Sequence, residues 1–159
     1  MGLAGSKGWY TLHVCVDANC LVAGVASPSG ATAKILRNIL AGQLRLVVSL
    51  EIVHEYTMLA KKPGVVQLFA RHRVTEMEYL DVLSDICQDA ELVTPQGPCP
   101  PCRDEADRKY LHCALTGHAA YLITRDKDLL DGQPIPGTEI LRPDQFLCLA
   151  RDKGLALIP

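Results

Sequence analysis

Three short apolar runs, "TLHVCVD" (11–17), "LRLVVS" (44–49) and "AAYLIT" (119–124), stand apart in the chain with helical patterns between them. Each is too short for a helix of its own and each reads as a buried strand. Two lesser runs, "ELV" (91–93) and "TEIL" (138–141), read as further short strands. Strands that alternate with helices imply a parallel sheet covered on both faces, because a parallel crossover places its helix on the sheet. Such sheets bind ligands beyond the carboxyl ends of their strands, where the strand order reverses.

The intervening stretches carry their own start and stop signals. Ile35, Leu36, Ile39 and Leu40 recur at helical spacing and close at Gly42. "LEIVHEYTMLAKKPG" reads as a helix with Ser49 as N-cap and Pro63-Gly64 as its stop. Residues 65–73 suit a short helix, and Thr75 with Glu78 forms a capping-box start for "TEMEYLDVLSDIC". "EADRKYLHCALTGH" is a strong helical pattern, and "PDQFLCLARDK" (143–153) a terminal helix opening at Pro143. The expectation is one domain over 11–153, with a flexible tail at 1–10 and a C-terminal tail at 154–159.

A chain of 159 residues, 48% hydrophobic and 21% charged, can build one ordinary core. Its formal charge of -2 does not advertise nucleic-acid binding. Net charge can mislead, since clustered acids can mask basic residues such as Lys61, Lys62, Arg71 and Arg73. Those four read either as a solvated helical surface or as a rim that contacts phosphate. No apolar run reaches membrane-span length, and "MGLAGSKGWY" lacks the apolar core of a signal peptide. Seven cysteines, an odd number, several of them inside apolar segments, suit a reduced, cytoplasmic compartment.

The acids then draw the argument together. Asp17 closes the first strand, and Asp126 follows "YLIT" by two residues. On neighbouring parallel strands, both carboxylates reach one edge. Asp107 shares a helical stripe with Tyr110, Leu111 and Ala114, the apolar face that must meet the sheet. Asp104 lies on the same side or caps that helix. Glu55 flanks the face of Ile52, Tyr56 and Leu59, whereas Glu51 is turned further toward solvent. Singly, each acid has a plain reading: a helix cap for Asp17, Asp104 and Asp126, a dipole-favoured first-turn acid for Asp107, a solvated helix residue for Glu55. Jointly they would repel, at about 4 kcal/mol for a pair 4 Å apart at an effective dielectric of 20. A cation or bound protons must offset that. Carboxylates without a matching His or Cys set favour magnesium or manganese.

Taken in order, "VDANCLVAGVASPSGATAKIL", "VVSLEIVHEY", "CRDEADRKYLHCALTGHAAYLITRDKDLL" and "EILRPDQFL" resemble a PIN domain, in the branch of toxin–antitoxin toxins related to VapC-type ribonucleases. The resemblance covers about His13 to Leu149. It implies a three-layer α/β/α sandwich with a mainly parallel sheet. It also implies an endoribonuclease that hydrolyses phosphodiester bonds with a water activated by Mg2+ or Mn2+. Asp17, Glu55, Asp107 and Asp126 would be the catalytic and metal-binding quartet. Asn19 matches the polar residue that braces the first aspartate or the substrate phosphate, and Thr124 the hydroxyl before the last acid. Asp104 and Asp128 match acids in the second shell or at a second metal. RNA as substrate, an antitoxin protein lying across the active site, and homodimers or higher oligomers are the partners it implies.

Rival chemistries fit less well. "CPPC" (99–102) would need to open a helix straight after a strand to be a thioredoxin-type pair, and two prolines hold it in a loop. A zinc knuckle would need two more ligands, and Cys113 with His112 or His118 is poorly spaced. A receiver domain would need other residues at the strand ends, and a haloacid-dehalogenase phosphatase a second aspartate where Asn19 stands. The alternative from another class is a domain that keeps the acids yet binds RNA or protein without cutting, since a misplacement of 1 Å disables such a site.

Overall fold

The computed structural model describes residues 11–132 and 134–159, so the tail expected at 1–10 lies outside the described residues. All five apolar runs are strands of one sheet: β1 (Leu12–Val16), β2 (Leu44–Val48), β3 (Glu91–Leu92), β4 (Tyr121–Ile123) and β5 (Glu139–Leu141). Their order is β3-β2-β1-β4-β5 and every pairing is parallel. Val14, Val16, Leu46, Val47, Leu122 and Ile123 are buried, as residues between two layers must be.

The order explains the layers. From β1 the chain steps outward to β2 and β3, then returns past β1 to β4 and β5. Right-handed crossovers in opposite directions put their helices on opposite faces. The first crossover supplies α1 (Ala18–Ala26) and α2 (Ala31–Leu40); the second, α3 (Leu50–Leu59), α4 (Pro63–Arg71) and α5 (Glu76–Gln88). The returning crossover holds a 3-10 turn, Glu105–Asp107, that runs into α6 (Arg108–Thr116), and α6 packs on β1, β2 and β4. A short α7 (Lys127–Leu130) joins β4 to β5, and α8 (Pro143–Asp152) lies against α2. The result is an α/β/α sandwich whose order reverses between β1 and β4.

Several local signals act as the sequence implies. The Ser49 hydroxyl accepts from the Ile52 N–H at the start of α3, and the Thr75–Glu78 capping box closes in both directions. Other features differ from expectation. Pro63 does not only end α3, which stops at Leu59; it is the first residue of α4, where its missing N–H costs nothing. The "EADRKY" helix begins as a 3-10 turn. Residues 154–159 run back over the core, where Leu155 and Leu157 pack. There the buried Asn38 side chain bonds both the N–H and the carbonyl of Ile158, at 2.7 and 3.1 Å.

α1 has no clear amphipathic stripe, because residues around most of its circumference are buried: Ala18, Cys20, Leu21, Val22, Gly24 and Ala26. Gly24 makes its close packing possible. A methyl group there would stand 2.7 Å from Leu36 Cδ1 and 2.9 Å from Thr32 Cγ2. Replacement by Val should therefore overpack the α1–α2 contact and cost about 1–3 kcal/mol. Urea denaturation of Gly24→Val reads that loss, and an unchanged midpoint would show that the two helices have room to part.

Candidate metal centre

The switch in strand order brings the ends of β1 and β4 side by side. Val16 pairs with Ile123, and the Asp17 N–H donates to the Ile123 carbonyl at 3.0 Å. Asp17 is 4% exposed, and both of its carboxylate oxygens are engaged. Oδ1 accepts from the Asn19 backbone N–H at 2.9 Å, which caps α1, and Oδ2 accepts from the Thr124 hydroxyl at 2.6 Å. Thr124, wholly buried, also accepts from the Asp126 N–H at 3.0 Å. One hydroxyl thus ties the first acid to the loop that carries the last. Asn19 braces Asp17 through its backbone, and its own side chain is exposed.

Capping and clustering turn out to be compatible. Asp126 Oδ1 accepts from the Asp128 N–H at 2.9 Å and starts α7, while Asp104 Oδ1 accepts from the Ala106 N–H at 2.9 Å and starts the 3-10 turn. Each cap uses one oxygen of its carboxylate. Asp107 stands where the groups meet. Oxygens of Asp104, Asp107 and Asp128 lie within 4.8 Å of one another. Asp107 also feels the charges of Asp126 and Asp17. Its Oδ2 is enclosed by protein and accepts from no donor among the described residues.

Glu55 arrives from α3 on the other side. Its charge is felt by Asp17 and by Tyr110, whose buried hydroxyl accepts from the Ala18 N–H at 3.1 Å. Glu55 Oε2 lies 2.7 Å from Lys109 Nζ in an ion pair without the alignment of a directed hydrogen bond. Arg103 approaches Asp128 more loosely, at 4.0 Å on an exposed rim. The structure therefore brings Asp104, Asp107 and Asp128 together at ligand spacing, whereas Asp17, Glu55 and Asp126 lie outside that group, near enough for Asp17 to feel the charges of Glu55 and Asp126 and for Asp107 to feel those of Asp17 and Asp126. Lys109 and the Tyr110 hydroxyl are the contributors that periodicity did not flag; a lysine two residues after a buried-face aspartate was the available signal. The basic stretch at 61–73 is exposed on α4 and beyond it. "CPPC" lies in the loop before the 3-10 turn, all seven cysteines are free, and no His or Cys belongs to a metal-capable group among the described residues.

The electrostatics carry the mark of crowding. Burial is the largest influence on Asp17 and pushes its carboxyl up; the Thr124 and Asn19 hydrogen bonds oppose this, and the charges of Asp126 and Glu55 add to it. Asp107 is pushed up to about 7, first by desolvation and then by its contact with Asp126. Crowded carboxylates, an enclosed oxygen lacking a donor and an all-oxygen set are what a hard divalent cation fits. Larger concavities, such as one of about 570 Å³ walled by Tyr121, Leu130, Ile135 and Ile140, carry no comparable group of acids.

An α/β/α sandwich with carboxylates gathered at its switch point is the framework of a metal-dependent hydrolase. Comparison with known families is specific: the PIN-domain model matches residues 13–128, and the chain belongs to that family. PIN domains are generally nucleases that use divalent metals. An uncharacterised protein of Methanocaldococcus jannaschii is 26% identical over 119 residues, covering 75% of this chain and 74% of the relative. No solved structure matches the chain significantly. No helix among the described residues is long and apolar enough to cross a membrane.

Two outcomes follow from this geometry. A carboxyl with a raised folded-state pKa withdraws stability as pH rises from its unfolded value near 4 through its folded value, here about 7. In EDTA, the melting temperature should fall across that window. Asp107→Asn should remove part of the slope, with Asp17, also raised, supplying a remainder; identical slopes would place Asp107 outside the cluster. Thr124→Val keeps the side chain's shape and strips a buried carboxylate of its donor. It should cost about 1–3 kcal/mol in denaturant titration, and a neutral result would mean that the 2.6 Å bond is not made in solution.

Proposed function

We propose that the protein is a metal-dependent endoribonuclease, the toxin of a toxin–antitoxin pair, acting in the cytoplasm on RNA with Mg2+ or Mn2+. The observation that carries the nuclease reading is the enclosed Asp107 Oδ2, which lacks a donor and lies among Asp104, Asp126 and Asp128. Asp17, Glu55, Asp107 and Asp126 would hold the cation, with Asp104 and Asp128 as outer or second-ion ligands that share Asp107 with the quartet. When bound, the cation supplies positive charge to the phosphodiester and acidifies the attacking water.

The chain's own residues do the positioning. Thr124 holds Asp17 by its Oδ2 and fixes the Asp126 backbone, so the two strand-end acids keep one spacing. The Tyr110 hydroxyl accepts from the Ala18 N–H and so ties α6 to the start of α1. At neutral pH Asp107 is poised to lose or take a proton, so cation binding competes with that proton and strengthens as pH rises through about 7. The toxin reading rests on the likeness of the quoted segments to the VapC branch. It brings with it an antitoxin segment across the acids and association of the toxin into dimers or larger oligomers.

Incubation of the purified protein with single-stranded RNA and Mn2+ or Mg2+ is the test. Cleavage should appear with metal, vanish in EDTA, and fall at least 100-fold in Asp107→Asn, as loss of an essential ligand group does. Cutting that survives the substitution would belong to a contaminant. A wild type that binds RNA without cutting would favour the non-catalytic reading.

A further inference from the structure

We infer that Lys109 is a latch on Glu55, a positioning residue that holds this acid back until a phosphodiester of the RNA draws the ammonium away. The inference rests on the nuclease reading above and concerns the order in which the site assembles. Among the six ion pairs found in the described residues, Lys109–Glu55 is the shortest, at 2.7 Å, and its side chains are the least exposed, at 17% and 28%. An ammonium so sheltered is not a solvated surface charge. It has been placed against an acid of the quartet, where it offsets one of the negative charges that would otherwise repel Asp17.

The pair is also positioned for exchange. Glu55 Oε2 is enclosed while the side chain keeps 28% exposure, and the ammonium lacks the alignment of a directed hydrogen bond. Lys109 also lines a separate concavity of about 330 Å³ with Arg108 and His112 and with the acids Glu51 and Glu105. It therefore borders both Glu55 and that concavity. A lysine ammonium is a point charge on a flexible stem and can turn between two anions without a fixed fork to satisfy. A phosphodiester entering by that concavity competes with Glu55 for the same charge. Once Lys109 turns to the phosphate, Glu55 is a free carboxylate facing the cation.

The consequence is reciprocal: RNA tightens cation binding, and the cation tightens RNA binding, through one shared ammonium. Without RNA, Lys109→Met should bind Mn2+ about tenfold more tightly than wild type by calorimetry, because Glu55 is already released. In the Glu55→Gln background the same substitution should change Mn2+ affinity less than twofold, which a simple through-space charge effect would not show. Lys109→Arg should restore the wild-type affinity. In EDTA, a short single-stranded RNA should bind Lys109→Met at least fivefold more weakly by fluorescence anisotropy.

An unchanged Mn2+ affinity in Lys109→Met overturns the latch, as does an equal gain with and without Glu55. Unchanged RNA affinity removes the exchange. If wild type neither binds nor cuts RNA, the nuclease reading fails on its own, while the Mn2+ cycle still reports on the pair.

Discussion

The hydrogen bond from Thr124 to Asp17 joins the two halves of the molecule at the point where the sheet changes direction. At 2.6 Å and wholly buried, it neutralises neither partner, but it gives a desolvated carboxylate the donor that burial would otherwise deny it. The same hydroxyl fixes the Asp126 backbone, so a single side chain determines how far apart the strand-end acids stand. The other elements of the crevice are arranged around that spacing. The 3-10 turn brings Asp107 and the start of α6 brings Lys109 toward it, and α3 carries Glu55 from the side.

Crowding of like charge is managed in three physical ways. Helix starts take one oxygen each from Asp17, Asp104 and Asp126, where backbone N–H groups and the positive end of the helix favour an anion. A lysine offsets Glu55. Asp107 retains its proton to about neutral pH. The site is thus stable enough to fold empty and still strained enough to favour a divalent ion.

Much of this was legible in the chain. Short β-branched runs separated by helical patterns fix a parallel sheet, and acids placed just after two of those runs must meet if the strands are neighbours. The inward stripe of Asp107, Tyr110, Leu111 and Ala114 also follows from spacing, and the structure buries its last three members. α1 was not legible. "ANCLVAGVA" is apolar on nearly every side, and a helix buried all round shows no stripe to read. The 3-10 start of α6 was hidden because its residues suit an α-helix equally well. Lys109 escaped for another reason: sequence shows a lysine's charge but not where its four-carbon stem will lead it. The roles of Asp104 and Asp126 needed no choice between cap and ligand, since a carboxylate has two oxygens and the backbone takes one.

The Thr124 hydroxyl and the Asp17 carboxylate that it grips are separated by 107 residues. During synthesis, β1 and β2 can pair early, but the crevice has no far wall until β4 emerges. A partly translated chain therefore carries the acids scattered along a polymer, with no common point at which an ion could be shared. Contacts so distant in sequence, usually a handicap in folding speed, here mean that the acids gather only once the switch-point strand is in place.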